Sequence, residues 1–319
     1  MAESSNRLRI AMIGAGGFAA RHLEVLAHEA DVLVVAHAAR RLEAARAQAD
    51  RYGGRAFDDV AALLAAEPVD AAWVCVAPAG HGATERALIE RGVPFFVEKP
   101  LSADRATAEG IGHVVAESGL VTAVGYHWRA LDALVELRER LAEGPPVALI
   151  AGTWLSSTPP PAWWHRQATG GGQMVEQATH LLDLARHLVG EAHVLHAVAD
   201  RPPRTAPSDL DVASVSTATL RFASGASGTV TGTCLLGASA RIELQLMREG
   251  ELITVTQDSV TYDDGRERRE VRVIGDPVAA EDRAFLDAVR AGDPAAVVCS
   301  YADALGTHRL AHDVAEAAA

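Results

Sequence analysis

The residues best equipped for chemistry stand in one segment past the middle of the chain, "GGGQMVEQATHLLDLARHLVG" (170–190). Three glycines lead into a carboxylate and an imidazole four residues apart, Glu176 and His180, followed by Asp183 and His187. At ~100° per residue these four fall within a ~60° sector of one helical face, opposite Met174, Ala178, Leu181, Ala185 and Leu188. Three readings fit that pattern: an acid/base pair, part of a metal site, or the solvated side of an amphipathic helix. A metal needs a fuller ligand set. Neither H-E-x-x-H nor a nearby Cys/His cluster supplies one, so no metal is expected. The glycines let the backbone approach another surface closely, such as a cofactor or substrate.

A second candidate is Lys99, which closes the run "VPFFVEKP" (93–100). A lysine at a strand end is commonly a snorkelling surface residue, yet reactive groups gather at the carboxyl ends of parallel strands. A third candidate is the glycine run "GAGGFA" (14–19), which sets Gly14, Gly16 and Ala19 in G-x-G-x-x-G/A order, with Gly17 and Phe18 between them. It separates an apolar strand pattern, "LRIAMIG" (8–14), from a helical one, "GFAARHLEVLAHEA" (17–30). In that setting the backbone approaches a pyrophosphate and the helix N-terminus supplies N–H donors and positive dipole. The next strand, "DVLVVAHA" (31–38), leads to Ala39 where an acid would bind the ribose of NAD, and then to Arg40 and Arg41. A small residue and two guanidinium groups favour a 2′-phosphate, hence NADP(H) over NAD(H).

The elements that must position these groups follow from periodicity. Strand and helix patterns alternate through "RLEAARAQADRYGG" (41–54), "VDAAWVCVAP" (69–78), "GATERALIERG" (82–92), "VPFFVEKP", a helix at 103–117 and "LVTAVGYH" (120–127). Such alternation implies right-handed βαβ crossovers and a doubly wound parallel sheet. After a helix near 129–142 and a longer strand, "PPVALIAGTWLSS" (145–157), strand follows strand from 193 to 275. These are "HVLHAVAD", "VASVSTATLRF", "ASGTVTGTCLL", "ARIELQLM" and "ELITVTQDSV", with period-two alternation in "SVSTATLRF". Helices at 280–291 and 300–317 end the pattern. The fold expected is α/β: a Rossmann domain over 1–125, then an α+β domain over 126–319 with a largely antiparallel open sheet.

A net charge of −13 argues against a non-specific nucleic-acid binder, which needs basic patches. The three cysteines, Cys75, Cys234 and Cys299, are sparse and far apart, which suits a reducing compartment. "MAESSNRLRIAMIG" shows no export signal, and no apolar stretch reaches the ~18 residues of a spanning helix. A cytoplasmic protein without membrane partners is expected.

The motifs "GAGGFA", "VAPAGH" (76–81), "VEKP" (97–100), "GYHWR" (125–129) and the glycine segment occur in an order that resembles the Gfo/Idh/MocA family of NAD(P)-dependent sugar and cyclitol oxidoreductases. The resemblance covers nearly the whole chain. It implies that Ala77, Pro78, His81, Glu98 and Lys99 border the dinucleotide, with Lys99 beside the nicotinamide and Pro100 often cis. It also implies that the C-terminal sheet forms a homodimer or homotetramer interface. The family pattern G-G-G-x-x-x-D-x-G-x-H places an acid and a histidine toward the substrate. His180 matches, Glu176 stands for the aspartate, and Ala178 replaces a glycine. Asp183 and His187 are then structural.

On this resemblance His180 is the general acid/base, Lys99 stabilises alkoxide charge, and Glu176 orients His180 or binds a neighbouring hydroxyl; the first two roles are interchangeable from sequence alone. Tyr126, His127 (in place of an asparagine) and Arg129 match a substrate-side region. "PPPAWWHRQ" (159–167) borders the cleft. There Trp163 or Trp164 packs on an apolar face or in the core, and Arg166 contacts an anionic substituent. The default substrate is a neutral polyol or its keto form. Two rivals stay open: a redox-assisted lyase or glycosidase holding NAD, and a non-catalytic nucleotide sensor. Ala77, His127 and Glu176 depart from the family and favour the sensor; Lys99 and His180 disfavour it.

Overall fold

The computed structural model describes residues 7–318 except 206, 208 and 209. Residues 1–6, on which the absence of an export signal partly rests, lie outside that range. The chain divides into two compact units, each described on its own. The first comprises the chain up to Ser102, Ala106–His127 and Val278–Ala304; the second comprises Ala103–Arg105, Trp128–Pro277 and the chain from Leu305.

The first unit alternates strands and helices: β1 (Leu8–Ile13), α1 (Gly17–Leu26), β2 (Val32–Ala38), α2 (Leu42–Tyr52), β3 (Arg55–Phe57), α3 (Val60–Ala66), β4 (Ala71–Val74), α4 (Ala83–Glu90), β5 (Phe95–Val97), α5 (Arg105–Ser118) and β6 (Thr122–Val124). All six strands are parallel, in the order β3-β2-β1-β4-β5-β6. Both faces of this sheet are covered, so its inner strands read as unbroken apolar runs: Ile10, Ala11 and Met12 of β1 and all of β4 are fully buried. The strand order reverses between β1 and β4, and in such sheets ligands bind outside the carboxyl ends of the strands at that point.

The second unit holds α6 (Leu134–Glu143), β7 (Leu149–Ser157), two short helices α7 (Gln167–Gly170) and α8 (Gln173–Glu176), and α9 (Thr179–Val189). Seven strands follow: β8 (Ala192–Asp200), β9 (Val215–Phe222), β10 (Ser227–Leu236), β11 (Arg241–Arg248), β12 (Glu251–Val255), β13 (Ser259–Asp263) and β14 (Arg268–Arg272). The eight-stranded sheet runs β14-β13-β12-β11-β7-β10-β9-β8 and is antiparallel except where β10 pairs with β7. Its strands alternate. In β9, Ser216, Ala218, Leu220 and Phe222 face inward while Thr217, Thr219 and Arg221 are exposed. Ala218, Leu220 and Phe222 belong to the same buried core cluster as Leu181, Leu182, Leu184 and Ala185 of α9.

Helices α10 (Pro277–Ala291) and α11 (Tyr301–Ala317) complete the chain. Phe285 and Leu286 of α10 are fully buried in the core of the first unit, against Trp73 and Phe96. The sequence run "ELITVTQDSV", expected as one strand, is two. The Thr256 hydroxyl accepts from the backbone N–H groups of Asp258 and Ser259, at 3.2 and 3.0 Å, and turns the chain between β12 and β13. Among the described residues no helix is long and apolar enough to cross a membrane.

Candidate active site

The glycine run leaves β1 at the point where the strand order reverses. Gly14 has φ +117°, and a Cβ there would lie 2.1 Å from the Cys75 carbonyl oxygen, so only glycine fits the turn. Gly16 then caps α1 without a side-chain hydrogen bond. Gly16, Gly17 and Phe18 are exposed, whereas Ala19 is buried and anchors the first turn to the sheet. An uncapped, exposed helix start presents backbone N–H donors and a positive dipole to an anion, which is what a pyrophosphate requires. At the end of β2, Arg40 and Arg41 are both exposed. Neither guanidinium has an ion-pair partner among the described residues.

Beyond β4 the chain makes a tight turn over Pro78–Gly80, with Ala77 half-buried and Pro78 buried. His81 donates no contact outward: its Nδ1 meets Glu85 Oε1 at 2.6 Å, and the other oxygen of Glu85 accepts from the Gly82 N–H at 2.6 Å. Burial drives the Glu85 carboxyl upward, but His81 and the backbone N–H groups outweigh it and hold the group below the usual carboxylate range.

At the end of β5, Lys99 is half-buried, the Lys99–Pro100 bond is cis, and Glu98 is buried. A group of residues that sequence reasoning missed surrounds Glu98. His22 on α1 contacts Glu98 Oε1 through Nε2 at 3.0 Å and Asp282 of α10 through Nδ1 at 2.8 Å. The Trp73 indole N–H also donates to Asp282, at 2.8 Å. Burial alone would push the imidazole down; Asp282 and Glu98 overcome it and raise its pKa to about 10. His22 is therefore a buried imidazolium between two carboxylates. Among the described residues, the three groups close enough to share a metal ion are His22, Glu98 and Glu281, not the stripe around His180. The one sequence signal for this cluster was a histidine inside the otherwise apolar buried face of α1, beside Ala19, Leu23 and Leu26.

In the second unit the three glycines serve the chain's own packing. Gly171 and Gly172 take φ +79° and +87°, and a Cβ on either would meet Val175 at 2.8 Å or Gln167 at 2.7 Å. The segment after them is not one helix with a wet side. It breaks between α8 and α9 at Gln177–Ala178, and the stripe is only partly wet: His180 is 5% and Asp183 1% exposed, while Glu176 and His187 are half-buried. The physical reason lies in distant partners. Arg129 grips Asp183 with two hydrogen bonds of 2.7 and 2.6 Å, and the Thr307 hydroxyl donates to the same carboxylate at 2.7 Å. Arg129, expected on the substrate side, thus has its guanidinium engaged inside the unit.

Glu176 is half-buried, and one carboxylate oxygen accepts from the indole N–H of Trp164 at 2.8 Å. Trp164 itself is buried with Val212 and Cys234, and Trp163 packs partly against that cluster. Arg166 is exposed, 3.8 Å from Asp211. The rings of Trp128 and Trp154 are each near-parallel to that of His180. Tyr126 and His127 are buried in the first unit, where the His127 ring is 6.4 Å from that of Phe18. Within the units, then, the structure joins Glu176 to Trp164, Arg129 to Asp183, His127 to Phe18, and Glu98 to His22.

Comparison with known proteins matches residues 8–126 to an oxidoreductase family with an NAD-binding Rossmann fold and residues 136–276 to the Gfo/Idh/MocA C-terminal domain. The chain belongs to the Gfo/Idh/MocA oxidoreductase family. Its similar curated members include D-glucoside 3-dehydrogenase of Escherichia coli K12, 30% identical over 59% of this chain and 56% of that one. Another is myo-inositol 2-dehydrogenase of Thermotoga maritima, 27% identical over 91% of this chain and 90% of that one. The chain thus spans little more than half the length of the first of these relatives. Among solved structures, levoglucosan dehydrogenase with NADH and levoglucosan superposes with a TM-score of 0.86 at 22% identity, covering 98% and 97% of the two chains. A 3-ketoreductase from Actinomadura kijaniata with NADP and TDP-benzene gives 0.86 at 22% identity, covering 98% of each chain. At such identities these structures establish that the family fold is shared.

Proposed function

We propose that this member of the family transfers a hydride between a nicotinamide dinucleotide and a secondary alcohol or ketone of a sugar, sugar derivative or cyclitol. The observation that carries the proposal is the pairing of motifs: a chain matching both family domains keeps Lys99 at the end of β5 and His180 after the glycine turn. A bound nicotinamide supplies the hydride donor or acceptor; the chain supplies binding, charge stabilisation and proton transfer.

The first unit holds the dinucleotide. Backbone N–H groups from Gly16 to Ala19 bind its pyrophosphate, Ala77, Pro78, His81 and Glu98 border it, and Arg40 and Arg41 pair with a 2′-phosphate, favouring NADP(H). Lys99 donates to the reacting oxygen and stabilises alkoxide charge. His180 takes the hydroxyl proton in oxidation and returns it in reduction. Glu176, which accepts from the Trp164 indole, orients His180 or binds a neighbouring hydroxyl. Tyr126, His127 and Trp163 contribute to substrate contacts, and Arg166 receives an anionic substituent when the sugar carries one. The outer face of the eight-stranded sheet, exposed at Thr217, Thr219, Thr229 and Thr231, is the surface for a second copy of the chain.

Titration with NADPH and NADH, followed by nicotinamide fluorescence, tests the cofactor half. Tighter binding of NADPH supports the arginine assignment. Preference for NADH, or NAD retained through purification without net turnover, points to redox-assisted lyase chemistry instead.

A further inference from the structure

The imidazole of His180 lies near-parallel to two indoles. Its ring centroid is 6.2 Å from that of Trp128 at an interplanar angle of 18°, and 6.0 Å from that of Trp154 at 12°. These separations and small angles are those of offset-stacked rings. The three side chains come from different pieces of the second unit: Trp128 at the start of the segment Trp128–Pro277, the inward face of β7, and the first turn of α9. All are buried, Trp128 to 1%, Trp154 to 9% and His180 to 5% exposure.

Simple packing does not account for the choice of tryptophan. Both indole N–H groups are buried without an acceptor among the described residues. A buried donor left unsatisfied costs stability, and leucine or phenylalanine would fill much of the same space without it. What an indole adds is a wide flat face. The χ2 torsion of histidine is broad and roughly two-fold, so flat neighbouring walls narrow the planes its ring can take.

We propose that Trp128 and Trp154 are positioning residues that fix the ring plane of His180, and with it the direction in which its nitrogens exchange a proton. The proposal rests on His180 being the acid/base of the reaction. Proton transfer needs the base within hydrogen-bond reach of the hydroxyl, and small misplacement there lowers turnover steeply. Loss of one face therefore widens the range of ring planes and lowers kcat, while substrate and dinucleotide still bind.

The test compares Trp154→Phe with Trp154→Leu, and Trp128→Phe with Trp128→Leu, in the full-length protein. Thermal melting and NADPH titration verify that each variant folds. Expected is a fall in kcat of roughly ten- to a hundredfold in the leucine variants, with KM within about twofold and most of the loss recovered by phenylalanine. Proton NMR of the His180 ring, assigned by its absence in His180→Asn, gives a readout independent of turnover. Its signals should be shifted upfield in the wild type by the flanking ring currents and should relax toward ordinary positions in the leucine variants.

Equal kcat in the leucine and phenylalanine variants would overturn the proposal, as would unshifted ring signals in the wild type. If His180→Asn turns over normally, the acid/base assignment fails, and the positioning role built on it falls too. The ring signals would then still show whether the stacking exists.

Discussion

Each unit buries a helical histidine, and the two are surrounded in opposite ways. His22 on α1 lies between the carboxylates of Glu98 and Asp282, hydrogen-bonded through both ring nitrogens. His180 on α9 has two near-parallel indoles stacked near it. Carboxylates at both nitrogens hold His22 as imidazolium to about pH 10, so it has no proton to trade near neutrality. His180 instead has the near-parallel indoles of Trp128 and Trp154 as neighbours. Burial is common to both and decides nothing; the neighbours differ, carboxylates tying His22 into the fold and indoles stacking on the histidine proposed for the reaction.

The sharpest way to break that contrast is to exchange the roles. His180→Asn and Lys99→Met should each lower kcat by roughly a hundredfold to ten-thousandfold while NADPH affinity is largely kept. Full activity in either would remove that residue from the mechanism. His22→Leu leaves Glu98 and Asp282 buried without their cation, and a loss of about 3–5 kcal/mol in denaturant-measured stability is expected. A loss below about 1 kcal/mol would mean that the network carries little of the fold.

The same network has a pH signature. His22 binds its proton more tightly in the folded chain, where its pKa is about 10, than in the unfolded chain, near 6.5. Its stabilisation is therefore complete below about pH 6.5 and drains away as the pH rises toward 10. Melting temperature across that window should fall in the wild type and stay flatter in His22→Leu.

Smaller effects sharpen the contrast between cofactor and substrate sides. Arg40→Ala and Arg41→Ala should each weaken NADPH binding by roughly tenfold and leave NADH nearly unchanged. Trp164→Phe removes the donor to Glu176, and a loss of about three- to tenfold in kcat/KM is expected without change in NADPH affinity.

What the sequence made legible was local. The turn at Gly14 was readable because backbone geometry and anion binding ask for the same residue, and the apolar runs of β1 and β4 advertise a sheet covered on both faces. The alternation in β9 announced its one buried face equally well. Long-range partners were not readable. The stripe from Glu176 to His187 has the periodicity of a solvated helix face, and only Arg129 and Thr307 show why Asp183 is inside. His22 carries no sign of Asp282, 260 residues away, because α10 returns to the first unit after the whole eight-stranded sheet has been built. The stacking of Trp128 and Trp154 on His180 likewise joins three separated segments, which no spacing rule connects.

The central claim is hydride transfer to or from a sugar or cyclitol. It is tested most directly by incubating the purified protein with NADP+ or NADPH and a panel of sugars, glycosides, cyclitols and ketosugars, following nicotinamide absorbance. A substrate-dependent change with at least one of them, lost in His180→Asn, is the predicted result. Tight dinucleotide binding with no turnover across the panel in either direction would contradict it and mark the chain as a nucleotide-binding protein.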